Sequence, residues 1–342
     1  LTRIESRIPD PMDAPPVRWG ILGAGSIARA FAYAVGTGTR SAVTAVGSRD
    51  RDKAVAFAAE HDAGHGVGSY EELVDADDVD IVYVATPHSA HHENALLALR
   101  AGKPVLVEKA FTRNAVEAAQ IADEARSRRL LCMEAMWSRF LPHYDVVRQL
   151  IETGRLGSVR TLTADHGQRL WPEGPQRLSD PGLAGGALLD LGIYPVSFAH
   201  MVLGGLQHVR AVGTLTDAGV DATTSIVATG RDGAHALLST TMGARTPTTA
   251  TISGDLGRIE IDGDFYMPNT VRLLDSGGAE LERWEYDLGT RHFGLRFEAA
   301  EAARCLHAGA LESPLLPLDE TLSVMRTLDE VRAQIGVHYP GE

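Results

Sequence analysis

Short apolar runs alternate with amphipathic stretches through the first 140 or so residues of this 342-residue chain. Val17–Leu22, Ser41–Gly47, Asp80–Ala85, Pro104–Val107 and Leu130–Met133 are rich in Val, Ile and Leu without polar alternation. That pattern belongs to strands buried on both faces, as in a parallel sheet covered by helices. Between them, Ser26–Gly36, Arg51–His61, Ser89–Gly102 and Asn114–Arg129 carry Ala and Leu at helical spacing and close on Gly or basic residues. Repeated βα units of this length predict an α/β fold: a doubly wound Rossmann domain over residues 17–140.

Beyond Leu141 the pattern changes. A helix over Tyr144–Thr153 ends at Gly154, and β-branched segments follow: Ser158–Asp165, Val209–Thr216, Ala222–Thr229, Ala236–Thr241, Thr248–Gly254, Arg258–Ile261 and Thr270–Asp275. With turns at Arg231-Asp232-Gly233 and Asp275-Ser276-Gly277-Gly278, they predict an open, mostly antiparallel sheet. Two helices close the chain, Phe297–Ala308 and Asp319–Gly336. The second takes Asp319 as N-cap and turns Leu322, Met325, Leu328, Val331 and Ile335 inward. The expected organisation is a disordered tail over residues 1–16, the Rossmann domain, and an α+β substrate-binding and oligomerisation domain over 141–342. So few helices leave one apolar sheet face exposed, which predicts a homodimer or dimer of dimers built through that sheet.

The formal net charge of −13 argues against nucleic-acid or anionic-membrane partners. Any polyanionic cofactor must therefore sit in a local island of positive potential. Composition is that of an ordinary globular protein, with 44% hydrophobic and 23% charged residues. No apolar stretch is expected to span a bilayer, and Leu1–Pro16 lacks the apolar core of a secretory signal. Cys132 and Cys305 sit among apolar neighbours as expected core thiols, so the cytoplasm is the default location.

Gly23-Ala24-Gly25-Ser26-Ile27-Ala28 matches G-x-G-x-x-A directly after a strand and at the start of a helix, the context that gives the motif meaning. Gly23 permits the tight turn, Gly25 lets the backbone approach a pyrophosphate, and Ala28 allows close helix–strand packing. The helix N-terminus offers its N–H groups to the phosphates. The alternative is a glycine-rich turn of an unrelated α/β protein. At the end of the second strand, where an acid would bind ribose hydroxyls, Gly47 leads to Ser48-Arg49, with Lys53 a turn further on. These residues can neutralise a 2′-phosphate, which favours NADP(H) over NAD(H), although Asp50 is near enough to reach a ribose.

Glu108-Lys109-Ala110 follows the fifth strand, and ligands of doubly wound sheets lie at the carboxyl ends of strands. Lys109 can there stabilise a developing alkoxide, or it can simply form a surface ion pair. In Gly185-Gly186-Ala187-Leu188-Leu189-Asp190-Leu191-Gly192-Ile193-Tyr194, Asp190 and Tyr194 stand i, i+4 and share a face if the stretch is helical. A tyrosine serves as general acid/base only beside a cation, because its ordinary pKa is about 10. Lys109 is the candidate cation. A buried Tyr with a hydrogen-bonded Asp also occurs as plain structure.

In this order the three motifs resemble the glucose–fructose oxidoreductase/inositol dehydrogenase/rhizopine-catabolism (Gfo/Idh/MocA) family, from about Val17 to the end of the chain. Glu134-Ala135-Met136-Trp137-Ser138-Arg139-Phe140-Leu141-Pro142 and Glu312-Ser313-Pro314-Leu315-Leu316-Pro317-Leu318 look most like the branch holding trans-dihydrodiol dehydrogenase and NADP-dependent D-xylose dehydrogenase. The resemblance implies a catalytic set of Lys109, Asp190 and Tyr194. It implies cofactor contacts from Ser48, Arg49 and Lys53, from Thr86, Pro87, His88 and His91, and from Glu108, Lys109, Met136, Trp137 and Arg177. Substrate contacts would come from Lys109, Trp137, Arg177, Asp190 and Tyr194. Two departures stand out: Ala110 replaces the family's usual proline, and Ala184-Gly185-Gly186 replaces a common triple glycine.

These residues predict an enzyme moving a hydride between NADP(H) and a secondary alcohol or carbonyl of a sugar or cyclic trans-diol. Two other classes fit more loosely. One is an NAD-dependent glycosidase of the same family, which shows no net cofactor turnover. The other is a non-catalytic dinucleotide sensor, against which the joint retention of Lys109, Asp190 and Tyr194 counts. His88, His91, His92 and Glu93 have the residue types of a metal site, but a strand-to-helix position after Thr86-Pro87 suits a cofactor-facing loop, and no metal is expected. Trp137, Trp171 and Phe140 read equally as pocket wall or core, and the loop from Trp171-Pro172 to Arg177 as a lid.

Overall fold

The computed structural model describes residues 4–286 and 291–342, which fall into two compact units. One comprises 9–140 with 291–322; the other comprises 4–8, 141–286 and 323–342.

In the first unit the chain runs β1 (Arg18–Leu22), α1 (Ser26–Gly38), β2 (Ala42–Gly47), α2 (Arg51–His61), β3 (His65–Val67), α3 (Tyr70–Val74), β4 (Ile81–Val84), α4 (His88–Arg100), β5 (Val105–Glu108), α5 (Ala115–Arg128) and β6 (Cys132–Ala135). Among the described residues the strands form a parallel sheet ordered β3-β2-β1-β4-β5-β6, the doubly wound arrangement expected. Strands β4, β5 and β6 are buried along their whole length, which explains their apolar sequences, broken only by Glu108 and Glu134. Phe31 of α1 locks onto the sheet between Trp19 (ring centroids 5.0 Å) and Tyr83 (3.9 Å). Asp50, Ser69 and Asn114 cap α2, α3 and α5 by accepting main-chain N–H bonds from Lys53, Glu72 and Glu117. Strand β3 and helix α3 were not expected; at three and five residues they are too short to show a period.

The second unit begins with α6 (Pro142–Glu152) and β7 (Val159–Gly167), then α7 (Ile193–Leu203) and β8 (Gln207–Leu215), β9 (Asp221–Thr229), β10 (His235–Thr241), β11 (Ala250–Gly254), β12 (Gly257–Ile261), β13 (Val271–Asp275) and β14 (Glu280–Trp284). The described strands form one sheet ordered β14-β13-β12-β11-β7-β10-β9-β8. It is antiparallel except where β10 runs parallel to β7. Strand β14 went unforeseen because its exposed Glu-Leu-Glu-Arg start carries little apolar signal.

Three expectations need correction. The segment expected as a disordered tail is ordered from Ile4 onward: Arg7 forms an ion pair with the buried Asp145 (2.7 Å), and Trp284 donates to Ile4 O (2.7 Å). Pro11–Asp13 makes a short turn capped by Asp10, whose carbonyl accepts from Arg304 (2.8 Å). The chain after residue 290 does not all belong to the second unit. Helix α8 (Leu295–His307) packs on α1, so tightly that a Cβ on Gly38 would stand 2.6 Å from Arg296 Cδ. The last helix, α9 (Leu318–Ile335), starts before Asp319, whose carboxylate instead pairs with Arg126 (2.7 Å). Also against expectation, Pro181–Leu203 is long and apolar enough by composition to cross a membrane, but its most apolar window is 94% buried, as a core segment of the second unit.

Candidate active site

The first unit supplies a dinucleotide cradle. Gly23 holds φ +102°, and a Cβ there would come 2.8 Å from Ala85 O, so only glycine fits the turn. A Cβ on Gly25 would meet nothing within 4 Å, leaving that side of the backbone open to a ligand. Gly25 also N-caps α1 without a side-chain bond, so the first-turn amides of Ser26 and Ile27 face outward as a phosphate would need. Ala24 is buried beneath the turn, and Ala28 is fully buried where α1 meets the sheet.

At the end of β2, Ser48 Oγ accepts the Asp50 N–H (3.2 Å) and Asp50 Oδ1 accepts the Lys53 N–H (3.1 Å). Asp50 thus caps α2 through Oδ1. Arg49 and Lys53 are exposed at the same strand end.

The loop after β4 is tied to the loop after β5. His91 is fully buried, with Nε2 2.8 Å from Thr86 O and Nδ1 2.9 Å from Ala110 O. Burial pushes its pKa down, against the pull of those carbonyls, with the Lys109 charge adding to the fall. His91 ties these two backbone segments together. His88, buried at the start of α4 after Pro87, meets it edge to face, and Asn94 Nδ2 donates to Thr86 Oγ1 (3.1 Å). Glu108 likewise turns inward, taking the Tyr83 hydroxyl on one oxygen and the Lys109 N–H on the other (3.0 Å). Lys109 itself is half-buried, and the peptide bond to Ala110 is cis. Met136 and Trp137 are buried, as is Phe140.

The second unit carries Asp190 and Tyr194. Leu188–Gly192 forms one wide π-type turn leading into α7, rather than the regular helix expected. The turn is held from all sides. Asp221 Oδ2 accepts the Leu188 N–H (2.8 Å), His166 Nδ1 meets Leu191 O (3.1 Å), and the Tyr339 hydroxyl donates to Gly185 O (2.8 Å). Gly186 holds φ +112°, and a Cβ there would lie 2.3 Å from Asp221 Oδ1. The buried Asp221 has its pKa pushed up to about 6 by burial, against hydrogen bonds from Thr224 and Leu188. Asp190 is nearly buried and pairs with Arg177 (3.0 Å). Tyr194, 6% exposed, has its ring against Tyr266 (4.5 Å) and His166 (5.3 Å). Gln168 Nε2 joins that cluster, 2.9 Å from His166 Nε2 and 3.2 Å from Tyr266 Oη. Trp171 packs on a small core cluster with Leu178 and Leu191, while residues 172–177 of the same loop are exposed.

The second unit thus pairs Arg177 with Asp190 and sets Tyr194 against His166 and Tyr266, while Asp221 and Tyr339 hold the backbone of the turn. The expected end of β7 at Asp165 fell one residue short of His166, and Tyr266, Asp221 and Tyr339 carry no motif. Among the described residues no group of three or more His, Cys, Asp or Glu could hold a metal ion.

A parallel sheet with a glycine cradle at its first turn, and a second unit presenting a carboxylate and a phenol, define a nicotinamide-dinucleotide oxidoreductase. Residues 17–136 match the model of the oxidoreductase family with an NAD-binding Rossmann fold, and residues 144–260 match the GFO/IDH/MocA C-terminal domain. The chain belongs to the GFO/IDH/MocA oxidoreductase family. It is 36% identical over 337 residues to trans-1,2-dihydrobenzene-1,2-diol dehydrogenase of Bos taurus, across 95% of this chain and 98% of that protein. The Homo sapiens protein of the same name is also 36% identical, over 334 residues, with the same shares covered. A solved 3-ketoreductase from Actinomadura kijaniata, in complex with NADP and TDP-benzene, is similar at a TM-score of 0.82 and 29% identity, covering 94% of this chain and 98% of that one.

Proposed function

We propose that this oxidoreductase is an NADP(H)-dependent dehydrogenase/reductase acting on a secondary alcohol or carbonyl of a sugar or cyclic trans-diol. The carrying observation is the end of β2: Asp50 is used as a helix cap, while Ser48, Arg49 and Lys53 remain to meet a 2′-phosphate. The cradle from Gly23 to Ile27 suits the pyrophosphate, with Gly25 open and the α1 amides outward. Bound there, the nicotinamide supplies a hydride acceptor or donor. Support for the substrate class comes from the relatives, named as diol dehydrogenases and a ketoreductase.

Removing hydride from a carbinol carbon requires the hydroxyl proton to leave as well. In this reading Tyr194 takes that proton, Lys109 supplies the positive charge that favours the phenolate and the substrate alkoxide, and Asp190 orients substrate. Arg177, paired with Asp190, holds that carboxylate in place.

Titrating the protein with NADP⁺ and NAD⁺ tests the cofactor. Tighter NADP⁺ binding is expected, and Arg49→Ala should weaken NADP⁺ while leaving NAD⁺ nearly unchanged; preference for NAD⁺ overturns the reading. A screen of aldoses, inositols and trans-diols for bulk NADP⁺ reduction tests the substrate class and separates it from a glycosidase.

We also infer self-association through the outer face of the second-unit sheet. Val212, Val227 and Leu237 are 74%, 50% and 47% exposed there, and Val227 pairs directly across from Leu237. The two unpaired, buried cysteines support a cytoplasmic location.

A further inference from the structure

The loop that carries Arg177 and the stretch leading into the turn of Asp190 meet backbone to backbone at two glycines. The Gly185 N–H donates to Asp180 O (3.1 Å) and the Gly186 N–H to Leu178 O (2.9 Å). The fit is close: a Cβ on Gly185 would stand 2.5 Å from Leu178 O and 2.7 Å from Arg177 O. The Gly185 carbonyl in turn accepts the Tyr339 hydroxyl (2.8 Å), which reaches in from the segment after α9.

Tyr339 is itself held at several points. It is 4% exposed, and burial pushes its pKa up, so its hydroxyl keeps the proton it donates. The Arg332 guanidinium of α9 lies 4.7 Å over its ring. Arg332 is forked onto both oxygens of Glu342 (2.8 and 3.1 Å) and also bonds Asp329 (2.9 Å). Glu342 then accepts the Tyr339 N–H (3.1 Å). Ring, main chain and helix are fastened together, and a single hydroxyl extends from them to the two glycines.

That junction governs the Arg177–Asp190 pair, because one partner stands on the loop and the other beyond the glycines. Their 3.0 Å contact requires loop and turn to keep one relative setting. Asp221 and His166 grip the turn further on, at Leu188 and Leu191. Removing the Tyr339 hydroxyl therefore loosens the junction and leaves those two grips in place.

We propose that Tyr339 is a positioning residue for the reaction: through Gly185 it sets the loop of Arg177 against the turn of Asp190, and so holds the carboxylate where it meets substrate. This rests on the reading of Asp190 as the group that orients substrate.

Tyr339→Phe keeps the ring under Arg332 and removes one hydrogen bond. In NADP⁺ reduction with the best substrate of the aldose, inositol and trans-diol screen, its kcat/KM should fall roughly fivefold, the scale of one neutral hydrogen bond. The Kd for NADP⁺ should stay within about twofold, and amide exchange at Gly185, Gly186 and Leu188 should quicken roughly fivefold. A tyrosine that only stabilised the fold would act independently of Arg177; one that acts through the pair lowers kcat/KM no further in an Arg177→Ala background. Native kcat/KM, native exchange, or a loss that multiplies with that of Arg177→Ala overturns the proposal. If Tyr339→Phe does not fold, Arg332→Met, which unseats the ring without touching the turn, should show the same pattern, and its absence there overturns the proposal equally. Exchange needs no substrate, so it still decides whether Tyr339 holds the junction if Asp190→Asn keeps its turnover and the reading of Asp190 fails.

Discussion

Arg177 Nη1 lies 3.0 Å from Asp190 Oδ1, joining a half-exposed guanidinium to a carboxylate that is 9% exposed. The pair spans from a loop of short turns to the wide turn ahead of α7, so the loop sets the state of a buried catalytic candidate. Screening at the exposed end keeps its contribution to stability near 0–1 kcal/mol. Arg177→Ala should therefore leave the melting temperature almost unchanged while kcat/KM falls roughly tenfold, the scale of a bond to a charged group. A native kcat/KM in the variant would show that Asp190 needs no cation.

The Rossmann unit was legible because its signals are local and repeated: apolar strands, Ala-rich helices and one glycine motif in its proper place. The motif residues Lys109, Asp190 and Tyr194 were legible for the same reason. What stayed hidden depends on contacts distant in sequence. Nothing local shows that Asp221 would meet Leu188, that Tyr339 would meet Gly185, or that α8 would join the unit of α1. Sequence placed His91 and Glu108 at the cofactor because both follow strand ends. Only the fold shows His91 turned to two backbone carbonyls and Glu108 to the Tyr83 hydroxyl and the Lys109 N–H. The wide turn at Leu188–Gly192 was invisible because its residues suit an ordinary helix equally well.

Asp221 gives a stability prediction with a definite sign. Its folded pKa, about 6, stands above the usual carboxylate value, so between roughly pH 4 and 6 the native state holds this proton more often than the unfolded chain does. The contribution is complete below that window and is lost as pH rises through it, by at most about 1.4 kcal/mol per pH unit. Asp221→Asn removes this dependence. Relative to native protein, the variant's unfolding free energy should improve from pH 4 to pH 7, as read from urea titrations at both pH values. A constant difference between the two proteins would mean that Asp221 titrates normally.

The sheet face offers a direct test of assembly. Leu237 and Val227 are opposed across β10 and β9 on the outer face, while the intervening Ala236, Leu238, Ile226 and Ala228 are buried on the other. A charge placed outward should leave the unit folded but repel a second copy of the same face. Light scattering at micromolar concentration should give a dimer or tetramer for the native chain and a monomer for Leu237→Glu with Val227→Glu. A native chain that is already monomeric would refute the inference.

The proton-transfer assignment separates in two variants. Tyr194 is 6% exposed, with its ring held against Tyr266 and His166. If Tyr194 is the acid/base group, Tyr194→Phe keeps the ring packing and removes only the hydroxyl. Turnover should then fall by about 10²–10⁴-fold with NADP⁺ affinity intact. Lys109→Met should also lose turnover, because the phenol returns toward its ordinary pKa of about 10. Raising the pH should restore part of the Lys109→Met rate, since hydroxide then does what the lysine charge did, and should restore nothing to Tyr194→Phe. The rival assignment makes neutral Lys109 the base, with Tyr194 merely positioning substrate. It requires Tyr194→Phe to retain most of its turnover and Lys109→Met to stay inactive at every pH. Single-turnover rates of both variants between pH 6 and pH 10 decide between them.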